Sequence, residues 1–160
     1  MNETAILRIS GQLAEKIRRI GAEIYPHECC GALLGRDGDA KADAASAARE
    51  VVDLFPLMNR SDDSPRNRFS VNAEDVRDAE QAARARGLDV VGWYHSHPDH
   101  PAQPSEFDRE HAWPWYSYVI ESVQNGTPQS MTSWHLRNDR AAFSQEIVEI
   151  RNQAWSAIEN

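Results

Sequence analysis

The sequence predicts a single layered domain of the α/β or α+β type, one sheet with helices packed against it. Three observations lead there. Segments with helical apolar spacing precede and interrupt apolar runs of strand length. Strand-like sequence dominates the second half of the chain. At 160 residues the chain is long enough to bury a core and short for two domains.

Ser10 is placed to cap a first helix, with Leu13, Ile17, Ile20 and Ile24 as its buried stripe and Pro26 as its stop. Cys29–Gly35, CCGALLG, is short and apolar and suits a buried strand. Residues 36–49 read as a turn or loose hairpin tip, the Ala-rich part of which is 40–48, and Glu50–Leu57 resumes an extended apolar pattern. MNRSDDSPRNR, residues 58–68, reads as a loop around Pro65, with Phe69–Val71 as a brief strand after it. Asn72 is placed to cap a second helix, with Asp75 three residues on, an inner face of Val76, Ala79 and Ala83, and a stop at Gly87. LDVVGWYHSH, Leu88–His97, reads as a central strand. Ser105 starts a short helix that ends near Pro114. WYSYVIES, SMTSWHLR and AAFSQEIVEI read as two or three strands joined at Asn125-Gly126 and Asn138-Asp139. The last segment, RNQAWSAIEN, reads as helical, with Trp155 docking it.

Composition narrows the function classes. The formal net charge is −8, from 25 acidic against 17 basic side chains, which argues against a nucleic-acid surface. No stretch approaches the roughly 18 apolar residues of a membrane span. The N-terminus, MNETAILRISGQ, lacks a basic start followed by a long apolar run, so no secretion signal is expected. The two cysteines, Cys29 and Cys30, are adjacent and form no extracellular staple pattern. A cytoplasmic protein is expected, with no nucleic-acid or membrane partner; a homo-oligomer is compatible with the sequence.

The stretch HSHPDHPAQPSEFD, His95–Asp108, carries the chemistry. Strand side chains alternate between faces, so His95 and His97 project to the same side, with Cα atoms roughly 6–7 Å apart. Two imidazoles at that spacing can converge on one ion. Pro98 ends the ladder. Pro101 and Pro104 stiffen the loop that follows, so Asp108 in the first turn of the next helix can come back over the strand end. Two histidines and a carboxylate leave a fourth position on Zn²⁺ open for water, as in catalytic zinc sites. Two alternatives stand beside this. Ser105-x-x-Asp108 is nearly a capping box, which would make both residues a plain helix start, and His100 also offers a third ligand. Hydrolysis further needs a proton carrier, for which Glu28, Glu106, Asp99 and Glu110 are candidates. Glu28 is suited to the role if its strand lies beside the one that ends at His97.

Three pieces coincide: Glu28 opening E-C-C-G-A-L-L-G, then His95–Pro98 as H-S-H-P, then, six residues later, Ser105–Asp108 as S-E-F-D. Together they resemble the E … HxHP-x6-SxxD signature of the JAMM/MPN-plus (Mov34/PAD-1) metalloproteases. A short chain without a targeting sequence is similar to the stand-alone prokaryotic branch. The resemblance covers about residues 4–150, a catalytic domain, and leaves 151–160 as a C-terminal extension. It implies the MPN/JAMM fold, a mixed, mainly antiparallel curved sheet with flanking helices. It implies a zinc held by His95, His97 and Asp108, Glu28 as the acid/base, and Ser105 as a donor to the developing oxyanion. Cys29 and Cys30 are then strand packing and not nucleophiles. The implied substrate is an amide after the Gly-Gly end of a ubiquitin-like or sulfur-carrier protein, cleaved by a peptidase or isopeptidase. Two other classes are a non-catalytic MPN scaffold, which would need no open ligand position, and a small-molecule zinc amidase. The deaminase pattern P-C-x-x-C is absent.

Overall fold

A computed structural model describes residues 5–38, 47–59 and 72–151. In chain order it contains β1 (Ile6–Ser10), α1 (Gly11–Ile24), β2 (Cys30–Arg36), β3 (Arg49–Leu57), α2 (Ala73–Ala85), β4 (Asp89–Pro98), α3 (Glu106–His111), β5 (Ser117–Gln124), β6 (Thr127–Leu136) and β7 (Phe143–Arg151). The expected strand at Phe69–Val71, most of the 58–68 loop, most of the Ala-rich segment 40–48 and the C-terminal helix with Trp155 lie outside the described residues.

The expected sheet is present, and it goes further than curvature. Its strands follow the order β1-β3-β2-β4-β5-β6-β7 and close into a barrel. Closure depends on β1, which pairs in parallel with both β3 and β7. β4–β5 is also parallel, while β2–β3, β2–β4, β5–β6 and β6–β7 are antiparallel, so the sheet is mixed and mainly antiparallel. A closed sheet has no exposed edge to protect.

β1 is the one element that the sequence does not lead us to expect. It has five residues, and Arg8 interrupts its apolar run. Arg8 is nonetheless buried, because its guanidinium reaches Glu149 on β7 (2.8 Å) and Glu50 on β3 (3.2 Å), one carboxylate from each neighbouring strand. Those partners are far away in sequence and appear only when the barrel closes.

The helices form where their caps predict. The Ser10 side chain accepts from the Leu13 amide at the start of α1, and Ala14 and Ile17 are buried beneath it. Asn72 and Asp75 form a reciprocal capping box at the start of α2, whose Ala79 and Ala83 face inward. The two helices cover two cores. Leu7, Ile9, Ile17, Leu33, Val91, Tyr94 and Val119 form one beside α1; Leu34, Ala79, Ala83, Val90, Trp93 and Tyr118 form the other beside α2.

β4 is buried on both faces from Val90 to Pro98. A bulge between its pairings Leu33↔Gly92 and Leu34↔Val90 leaves Val91 as an extra residue. Regular alternation therefore holds only from Gly92 onward, which includes the histidines. Gly92 sits where β4 pairs with Ser117 of β5, and a Cβ there would run into the Ser117 carbonyl. Gly92→Ala is therefore expected to cost at least the roughly 1–3 kcal/mol of overpacking, since backbone and not a rotamer must yield. A urea midpoint unchanged from wild type would refute the close approach.

Candidate metal centre

The end of β4 and the start of α3 meet over the α2 side of the sheet. His95 and His97 face that side, as alternation requires. Tyr94 packs into the α1 core, and the Ser96 hydroxyl turns the other way to accept from the Cys29 amide (2.9 Å). Ser105 caps α3, and the Asp108 carboxylate returns to accept from the Ser105 amide (2.8 Å), a complete capping box. That same carboxylate faces both histidines: its Oδ1 lies 3.3 Å from His95 Nε2 and its Oδ2 lies 3.2 Å from His97 Nε2. The two histidine Nε2 atoms are 3.1 Å apart. The helix-start and ligand alternatives for Asp108 are thus compatible, because the carboxylate that caps the helix also faces both histidines.

The donor set suits a metal on two grounds. Tetrahedral zinc with bonds near 2.0–2.1 Å places neighbouring ligand atoms roughly 3.3–3.4 Å apart, and each histidine Nε2 here lies 3.1–3.3 Å from the other and from one oxygen of the same carboxylate. The tautomer of His97 also points outward. Its Nδ1 lies 2.9 Å from the Pro101 carbonyl, which can only accept, so Nδ1 carries the proton. With Nδ1 engaged by that carbonyl, Nε2 is the ring nitrogen turned towards Asp108 and His95, the orientation a metal-binding imidazole adopts. Burial lowers the pKa of His95 and outweighs the pull of Asp108, which keeps that imidazole in its neutral, ligating form. Burial opposes ionisation of Asp108 too, but the two histidines outweigh it and hold the carboxyl below its usual range.

Glu28 is brought to the same place. β2 pairs with β4 antiparallel at Cys30↔His95, and Ser96 donates to the Cys29 carbonyl (3.1 Å). Continuing that register sets Glu28 level with His97. Its side chain is buried, and burial, aided by the negative charge of Asp108, pushes its pKa up to about 9. Asn59, at the start of the expected 58–68 loop, holds the Glu28 carbonyl through its side-chain amide (3.2 Å).

The other candidates fall away from the cluster. His100 is exposed, and its carbonyl accepts from Ser122. Asp99 clips the loop, accepting from the Tyr25 hydroxyl (2.6 Å) and the Asn125 amide (2.8 Å). Glu106 pairs with Arg109 on the exposed side of α3, and Glu110 is exposed. Cys29 and Cys30 are free and buried, and burial raises their thiols to about 11 and about 12, far from nucleophilic thiolates. Sequence reasoning does not find the Pro101 carbonyl that orients His97; a backbone acceptor leaves no residue signature.

A family model described as prokaryotic homologs of the JAB domain matches residues 10–137. The chain belongs to the prokaryotic JAB-domain family. Relatives and solved structures agree with this. A desampylase of Haloferax volcanii is 38% identical over 96 residues, covering 59% of this chain and 62% of that protein. Tail tip assembly protein K of Escherichia phage N15 is 34% identical over 85 residues, covering 53% of this chain and 28% of that protein. The chain thus spans less than two thirds of either curated relative. A solution structure from Salinibacter ruber is 40% identical with a TM-score of 0.68, covering 92% of both chains. Another, from Desulfitobacterium hafniense, is 28% identical with a TM-score of 0.76, covering 91% of this chain and 93% of that one. A JAB1/MPN domain protein of Archaeoglobus fulgidus, 18% identical with a TM-score of 0.53 over 91% of this chain and 99% of that one, shares the fold. Among the described residues of this JAB-family chain, no helix is long and apolar enough to cross a membrane.

The raised Glu28 pKa has a consequence for the metal-free protein. The folded state holds the Glu28 proton more tightly than the unfolded state, so this group's contribution to stability is complete below about pH 4.5 and declines as pH rises towards about 9. Glu28→Gln should flatten that decline in denaturation measured from pH 5 to 9 without metal. An unchanged slope would show that Glu28 does not titrate in this way.

Proposed function

We propose that this chain is a zinc-dependent peptidase or isopeptidase that hydrolyses an amide after the Gly-Gly end of a ubiquitin-like or sulfur-carrier protein, in the cytoplasm. The observation that carries the proposal is the convergence of His95, His97 and Asp108 with a buried carboxyl, Glu28, level with His97. The named activity of the Haloferax relative supports an amide-cleaving role, and the donor set supports zinc. A scaffold would have no use for three converging ligands and a buried proton carrier beside them.

His95, His97 and Asp108 would hold the ion, with Pro101 and the α3 cap fixing two of them. Zinc supplies Lewis acidity, which lowers the pKa of water and polarises the scissile carbonyl. Glu28 takes the proton of the attacking water as the water oxygen bonds to the carbonyl carbon. It then delivers that proton to the leaving nitrogen as the C–N bond breaks. To take that proton Glu28 must be ionised, and a cation held by the neighbouring ligands would favour its carboxylate over the protonated form that burial and Asp108 impose on the metal-free protein. The Ser105 oxygen accepts from the Asp108 amide (3.1 Å), which uses a lone pair and leaves the O–H free to donate to the developing oxyanion. No acyl-enzyme is needed.

Wild-type protein should bind one zinc per chain, and Asp108→Asn should lose it. Glu28→Gln should keep the zinc and lose about 10²-fold or more in kcat on a Gly-Gly-extended carrier, followed by intact mass. Undiminished turnover by Glu28→Gln would remove Glu28 from the mechanism.

A further inference from the structure

A cavity of about 250 Å³ opens beside the metal centre and is lined by both His95 and Asp108. Trp93, Phe107, Trp113, Tyr116, Tyr118 and Phe143 supply its aromatic wall. The wall is braced from within. Trp93 meets Tyr116 edge-on at 5.8 Å, Tyr118 meets Phe143 at 6.2 Å, and the Tyr118 hydroxyl accepts from the Trp113 amide (2.8 Å), which fixes the loop after α3. A cavity of roughly 150 Å³ with apolar walls already holds a benzene ring. This one is larger, and Trp113 at its rim is 65% exposed, so it is open to an incoming chain.

We propose that this cavity is the specificity pocket for the residue released with the leaving amine, and that it selects a large apolar side chain, aromatic or branched aliphatic. The proposal rests on the Gly-Gly reading above. Glycine has no side chain, so the two residues on the acyl side put nothing into a pocket that reaches the metal ligands. The residue before them is displaced by about 3.3 Å per residue along an extended chain. On the leaving side, an α-linked residue carries its side chain one carbon from the scissile nitrogen. The ε-nitrogen of an isopeptide-linked lysine carries only an unbranched methylene there. The pocket therefore favours peptidase action on an α-linked extension over isopeptidase action.

The test uses zinc-loaded full-length protein and acyl-Gly-Gly-X amides with X as Phe, Leu, Ala or Asp, together with the matching ε-lysine isopeptide. In parallel, metal-free protein is titrated with L-phenylalaninamide and followed by chemical-shift changes. We expect kcat/KM for Phe and Leu to exceed that for Ala, Asp and the isopeptide by about tenfold or more. We expect saturable phenylalaninamide binding in the metal-free protein. Ala112→Leu and Val76→Phe both add carbon to the cavity; in whichever of them keeps the wild-type melting transition, the Phe-to-Ala ratio should fall towards one and the binding should weaken. Equal cleavage of all X, or a preference that follows the residue before Gly-Gly instead, overturns the pocket assignment and leaves the hydrolase intact. No cleavage of any peptide or isopeptide overturns the hydrolase proposal. In that event the binding arm decides the pocket: saturable binding that the filled variants weaken supports it, and its absence overturns it.

Discussion

The antiparallel ladder between β2 and β4 runs from Gly35↔Asp89 to Cys30↔His95 and holds the candidate site together. It joins the strand that carries the histidines to the segment that carries Glu28, across a sequence distance that no local interaction could bridge. Two bonds extend it past the last paired residues. Ser96 donates its amide to the Cys29 carbonyl, and the Ser96 hydroxyl accepts from the Cys29 amide. These bonds lie between His95 and His97 on one strand and just after Glu28 on the other. Glu28 and the two histidines are thus spaced by backbone and not by flexible side chains, which is the rigidity that a reacting geometry would require.

Asp108 is held by a different device. It belongs to a six-residue helix, too short to be stable on its own. Its capping box, the Pro101 carbonyl bound by His97, and the Asp99 clip to Tyr25 and Asn125 pin the connecting loop at several points. The carboxylate that stabilises the helix end is also the one that faces the two imidazoles. Local helix stability and site geometry are consequently linked through one side chain.

Barrel closure provides the wider frame. Arg8 links β1 to β3 and β7, and Arg49 links the start of β3 to Asp37, to the Val91 and Trp115 carbonyls and to the Ser117 hydroxyl. The second of these clamps ties β3 to β4 and to the segment leading into β5, beside the aromatic wall. Trp115 lies under the Arg49 guanidinium at 4.4 Å, so the chain after α3 is anchored on the sheet.

Much of this was legible in the residues themselves. The helix caps at Ser10, Asn72 and Ser105, and the same-side placement of His95 and His97, follow from local chemistry and from a period of two. That placement survives the β4 bulge only because Val91 precedes Gly92 and the histidines follow it. Asp108 is ambiguous in the sequence because a capping box and a ligand would use the same carboxylate, and only the folded chain shows that the capping carboxylate also faces both imidazoles. β1 was not legible, since a five-residue run broken by Arg8 becomes a buried strand only when Glu50 and Glu149 arrive from distant segments. The closure of the sheet, the nearness of Glu28 to His97 and the cavity behind Asp108 depend on long-range pairing. Residue types and local spacing mark which groups could do chemistry; long-range pairing sets which of them meet, because strand pairing and burial act between residues that carry no record of each other's position.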